Sequence, residues 1–172
     1  MLLNNKSHLA AFGGVLTALA VLFMFLSSLI PAGKLVFVFL ASVVVGIGYN
    51  SYGARLSAIV YTASALLSVL IVPEKTYAIL YAVVVGNYPL LKPLLERISS
   101  LGIRLGVKLA VFNAYMIICC IIGIYILHLP LDSGTYPLWI LWIMMLAVFY
   151  VYDYAYTLFM QKIYNYLPKN KF

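Results

Sequence analysis

The acid that stands out is Asp153, inside the apolar run 137–161, roughly two turns from the end of the last hydrophobic stretch. A carboxylate at that depth is costly in hydrocarbon and calls for a partner. Asn87 and Asn113 fall on neighbouring stretches and Lys108 lies near the same level, so these residues form a candidate intramembrane polar cluster with Asp153, with Lys92 as a second possible cation. Three chemistries are open to it: a structural polar knot, a proton or ion relay, or a substrate contact or conformational latch. A relay needs several titratable groups along a path, and the outer half of the spans offers none in register.

Rings dominate the other end. Tyr77, Tyr81, Tyr125, Trp139 and Trp142, with His128 and Tyr136, crowd the ends of the last three stretches. Interfacial aromatic belts account for such residues without a ligand. Tyr77 and Tyr81 are nevertheless one turn apart, as are Trp139 and Trp142 to within a residue, so each pair can face inward together. A cup lined by Tyr77, Tyr81, Tyr125, Trp139 and Trp142 would suit a flat, mostly apolar heterocycle, with Glu74, Lys75, His128 or Asp132 orienting it at the mouth.

Little else could do covalent chemistry. The chain holds four acids and two His, and it has no phosphate-binding glycine loop, no His-Glu-x-x-His pair and no Gly-x-Ser-x-Gly elbow. Cys119 and Cys120 are adjacent, so on a helix they point to different faces and make no metal site together. The expectation is a protein that is not an enzyme, with no cofactor and no metal.

The elements that position these residues follow from composition. With 66% hydrophobic residues and a mean hydropathy of +1.08, the chain has too much apolar surface for an aqueous core. A hydrocarbon slab of about 30 Å asks for about 20 helical residues per crossing. Continuous apolar runs without dyad alternation exclude a barrel. The runs predict an all-α integral membrane protein, a six-helix bundle in one domain over 1–172, with spans near 8–30, 35–52, 54–72, 76–91, 108–127 and 137–161. Pro31-Ala32-Gly33, Gly53, Pro73 and the Pro130–Pro137 segment punctuate them. Pro89 predicts a kink or end of the fourth helix, and Pro93 the start of a short interfacial helix reaching about Ser99, within an interfacial segment over 92–104 whose apolar Leu91, Leu94, Leu95 and Ile98 can lie on lipid.

Lys6, Arg55, Lys92, Arg97, Arg104, Lys108, Lys162, Lys169 and Lys171 fall on one side of this arrangement, and only Lys34 and Lys75 on the other. The positive-inside rule then places both termini in the cytoplasm. The net charge of +7 reads as a rim beside anionic headgroups, with no nucleic acid as partner.

In the first span Ala10, Gly14 and Ala18 recur every four residues, with Gly13 and Thr17 in a second register. Such a stripe permits close helix approach, either to the protein's own helices or to another subunit. A basic leader, the small-residue helix His8-Leu9-Ala10-Ala11-Phe12-Gly13-Gly14-Val15-Leu16-Thr17-Ala18-Leu19-Ala20, the Ile30-Pro31 stop and Val43-Val44-Val45-Gly46-Ile47-Gly48-Tyr49 leading to Tyr52-Gly53 together resemble the substrate-binding S component of energy-coupling factor transporters. The resemblance implies a multi-pass subunit of a bacterial inner membrane that captures a vitamin-like small molecule. It implies docking through Ala10, Gly14 and Ala18 onto a transmembrane coupling subunit driven by separate ATPases. No signature in the chain selects a particular vitamin. Two other architectures of this size compete: a non-transporting scaffold of the rod-shape MreD type, and a proton-coupled carrier centred on Asp153.

Overall fold

A computed structural model describes residues 2–125 and 138–166; side chains of 2–6, 101, 124, 138, 141 and 164–166 are outside the description. The described chain is helical: α1 (Leu2–Leu29), α2 (Lys34–Tyr52), α3 (Ala54–Ile71), α4 (Lys75–Leu80), a π-helical turn (Tyr81–Val85), α5 (Tyr88–Glu96), α6 (Leu101–Tyr125) and α7 (Leu138–Tyr166). Six stretches are long and apolar enough to cross a membrane: Ser7–Leu29, Lys34–Tyr52, Ala54–Ile71, Lys75–Glu96, Gly102–Gly123 and Trp142–Ile163.

Glycine makes the two sharpest turns. Gly33, at φ 98°, precedes α2, and Gly53, at φ 81°, is the only residue separating α2 from α3. A Cβ is disfavoured in that left-handed region, so these positions reverse the chain at little steric cost. The Gly53 amide still donates to the Tyr49 carbonyl at 2.8 Å, so the end of α2 is capped.

Proline shapes the fourth span without ending it. Pro89 sits in the first turn of α5, where its missing N–H is one a helix start leaves unpaired. Just before it the helix widens, and the Gly86 amide donates to the Tyr81 carbonyl at 2.7 Å, five residues back. The span then continues to Glu96, and α6 starts at Leu101, so helices occupy most of the 92–104 segment expected at the interface.

α1, α2 and α3 pack against one another around Leu16, Ala20, Met24, Val38, Ala41, Val45, Leu56 and Val60, and α4 and the π turn complete this core with Ala78 and Tyr81. Small residues set the spacing. A Cβ at Gly48 would lie 3.6 Å from the Ser57 backbone, and the Ser57 hydroxyl donates across to the Val45 carbonyl at 2.8 Å. α6 and α7 meet differently, through long side chains: the Phe112 and Phe149 rings stack at 4.5 Å, and Tyr88 packs edge-on to Phe149 at 5.5 Å.

Candidate functional site

The π turn and Pro89 each release a backbone carbonyl, and tyrosines take both. In a regular helix the Gly86 amide would go to Ala82; with that amide on Tyr81, the Ala82 carbonyl accepts the Tyr61 hydroxyl from α3. Pro89 has no amide for the Val85 carbonyl, which accepts the Tyr152 hydroxyl from α7 at 3.2 Å. Tyr152 also contacts the Ser42 hydroxyl of α2 at 3.0 Å. A buried polar group without a partner is costly, so the irregular fourth span is matched to α2, α3 and α7 by these hydroxyls.

One turn further along lies the charged cluster. Asp153 on α7 accepts from Lys92 of α5 at Oδ1, from the Tyr88 hydroxyl at the same oxygen (2.5 Å), and from Lys108 of α6 at Oδ2 (2.6 Å). The Lys92 ammonium also reaches the Asp153 carbonyl at 3.1 Å, the Thr157 hydroxyl at 2.7 Å and the Glu96 carboxylate at 3.4 Å. Side-chain exposures of 5% for Lys92, 9% for Lys108 and 14% for Asp153 put all three groups inside the bundle. Charges removed from water need pairing and full hydrogen bonding, and both carboxylate oxygens are occupied. Two ammonium groups on one carboxylate leave an excess positive charge, which Glu96 at the rim offsets.

Asn87 and Asn113, expected in this cluster from their level, bond elsewhere. The Asn87 amide donates to the Tyr115 hydroxyl at 3.2 Å. Asn113 donates to its own helix at Leu109 (2.8 Å) and accepts the Trp142 indole N–H at 3.1 Å. Sequence spacing fixed the depth of both residues; helix rotation, which spacing leaves open, turned them toward other partners. Tyr88 and Thr157 complete the cluster instead.

The five rings proposed as a cup are dispersed. Tyr81 is fully buried, its hydroxyl 2.8 Å from that of Ser64. Tyr77 lies beneath Lys34, whose ammonium is 5.3 Å from the ring centre. Trp142 is tied to Asn113, while Tyr125 and Trp139 are exposed on the outer face. His128, Asp132 and Tyr136 lie outside the described residues. At this end Lys34 bonds Glu74 Oε1 at 2.5 Å, clasping the start of α2 to the start of α4. Glu74 Oε2 and the Ser68 hydroxyl are buried there without a hydrogen-bond partner among the described residues.

The small-residue stripe faces outward. Ala10, Gly14 and Ala18 are exposed, and a Cβ at Gly14 would meet nothing within 4 Å. The second register faces inward: Gly13 is buried, and a Cβ there would come within 3.0 Å of Leu56. Cys119 is half-buried and Cys120 exposed, both as free thiols.

A recess of about 220 Å³ opens at the end of the bundle where α2, α5 and α7 meet, between Gly46, Tyr49 and Asn50, the Pro89–Glu96 face, and Tyr156 to Gln161. Gly46 makes room there for the Tyr156 side chain, because a Cβ would overlap the Tyr156 hydroxyl. Nothing in the periodicity marked this place; Gly46 in α2 and the tyrosine run of α7 were the signals available. No family model, curated protein or solved structure matches the chain.

Proposed function

We propose that the protein is a membrane-embedded capture subunit for a vitamin-like small molecule, working with a separate ATP-driven coupling complex. The observation that carries this reading is the outward stripe Ala10, Gly14, Ala18: it is open, and the protein's own core uses the neighbouring register of Gly13, Leu16 and Ala20. In lipid, where helix association relies on van der Waals contact, a flat stripe on an unpartnered helix face favours a second transmembrane helix. On the other end, the Lys34–Glu74 clasp and the unpaired atoms of Glu74 and Ser68 supply polar groups for a ligand entering from that side. The reading takes both termini as cytoplasmic from the charge distribution, and it assigns the protein no ATPase activity of its own.

The scaffold reading keeps the same docking stripe and discards the ligand. It is favoured by the dispersal of Tyr77, Tyr81, Tyr125, Trp139 and Trp142 among a buried Ser64 contact, the Lys34 ammonium, exposed positions and Asn113. A carrier centred on Asp153 draws less support, since Lys92, Lys108 and Tyr88 already fill the carboxylate's hydrogen-bonding positions.

Co-reconstitution tests the docking half directly. Wild-type protein should associate with a coupling subunit and its ATPases, and Gly14→Leu should lose that association while remaining folded. Equal association of both forms would remove the docking claim.

A further inference from the structure

The recess between α2, α5 and α7 plays no part in capture from the opposite end, yet its lining is rich in polar groups. Its floor carries the Lys92 ammonium, and its rim carries Glu96, 44% exposed and held to Lys92 only loosely at 3.4 Å. The Tyr156 hydroxyl reaches it from a side chain 4% exposed and has no hydrogen-bond partner among the described residues. Tyr49, Asn50 and Gln161 line the opening, and none of their side chains is hydrogen-bonded within the described residues. An unbonded hydroxyl on a largely buried ring, facing a polar space, is free to take a bound polar group.

The charges define that group. Lys92 at the floor and Glu96 at the rim form a dipole one helical turn long, with no net charge. A free anion would meet Glu96, and a free cation would meet Lys92. A group with both charges satisfies both: its anionic part takes the place of Glu96 beside the Lys92 charge, whose hydrogen bonds to Asp153 and Thr157 stay in place, and its ammonium donates to the released Glu96 carboxylate. The recess also lies toward the ends of the stretches Lys34–Tyr52, Lys75–Glu96 and Trp142–Ile163, and the end of a stretch just long enough to cross a bilayer is where lipid headgroups would be met.

We propose that this recess binds a zwitterionic group, a primary ammonium joined through a short link to a phosphate or carboxylate, as in an ethanolamine phospholipid headgroup. Lys92 takes the anionic oxygen, Glu96 the ammonium, and Tyr156 a remaining phosphate or carboxylate oxygen. Binding there would brace α5 against α2 and α7 at the end of the bundle that carries the charged cluster.

The test is lipid retention by the purified full chain, measured by native mass spectrometry with phosphatidylethanolamine, phosphatidylcholine and phosphatidylglycerol of matched acyl chains. Phosphatidylcholine keeps the charges but has no N–H to donate; phosphatidylglycerol lacks the ammonium. The ethanolamine lipid should be retained about tenfold better than either, the ratio expected for one charge-assisted hydrogen bond. Glu96→Gln, at an exposed position that leaves the Asp153 cluster in place, should erase the preference, and Tyr156→Phe should weaken it. Displacement of the lipid by soluble phosphoethanolamine or glycine would assign recognition to the free zwitterion; selective retention that resists both would assign it to the diacyl lipid. Equal retention of the three lipids, a preference for phosphatidylglycerol, or unchanged selectivity in Glu96→Gln would overturn the proposal.

Discussion

Lys108 donates to Oδ2 of Asp153 at 2.6 Å, bringing α6 to α7 across a gap the backbones do not close. With Lys92 on Oδ1, the carboxylate is shared by three helices. The two cations are therefore unequal in consequence to the one anion. Asp153→Asn strands two buried ammonium groups and should cost about 3–5 kcal/mol, the range for breaking a buried pair. Lys108→Met leaves Lys92 and Asp153 paired and should cost less. Thermal unfolding of both variants in the same detergent checks the order; a larger loss in Lys108→Met would contradict this charge balance.

Gly46 and Tyr156 form a second tight pair. Gly46→Ala places a methyl on the Tyr156 hydroxyl and should destabilise by about 1–3 kcal/mol, as overpacking does. Removing that oxygen should relieve the clash, so Gly46→Ala with Tyr156→Phe should recover much of the loss. Additive losses in the double variant would show that the two side chains do not meet.

The adjacent glycines of α1 should part company on substitution. Gly13→Leu drives a side chain into Leu56 and should lower the melting temperature, whereas Gly14→Leu points into open space and should change stability by less than about 0.5 kcal/mol. A melting curve for each reads the rotation of α1. Equal destabilisation would mean that the stripe is packed within the protein.

The π turn predicts a cost for losing its hydroxyl partner. Tyr61→Phe leaves the Ala82 carbonyl, released from its usual helical bond, without a donor and should cost about 1–3 kcal/mol. Amide exchange in the Tyr81–Val85 segment should rise with it. Unchanged exchange and stability would mean that water or a regular helical bond takes the carbonyl.

The six apolar stretches were legible because a bilayer imposes length and composition, and the observed helices start and stop within a few residues of Gly53, Pro31 and Pro73. The fourth span differed, since Pro89 occupies a first-turn position after a widened turn, a compensation visible only when Tyr61 and Tyr152 are seen to take the released carbonyls. A carboxylate within an apolar run told of cationic partners, and Lys92 and Lys108 are beside it. Which neutral groups would join them depended on rotation: Asn113 turned to Trp142, and Tyr88 came in its place. The rings illustrate the same limit, because a one-turn spacing put Tyr77 and Tyr81 on one face without saying that Ser64 would hold Tyr81 in the core.

The central claim, that this bundle captures a small molecule for a separate motor, is tested most directly by thermal unfolding of the purified full chain against a panel of vitamins and nucleobases. A ligand that binds only the folded state raises the melting temperature progressively with its concentration, by about 2.7 kcal/mol of stability at a hundredfold excess over its dissociation constant. At least one such compound is expected. A flat response across the panel at millimolar concentrations would contradict capture and leave the scaffold reading in its place.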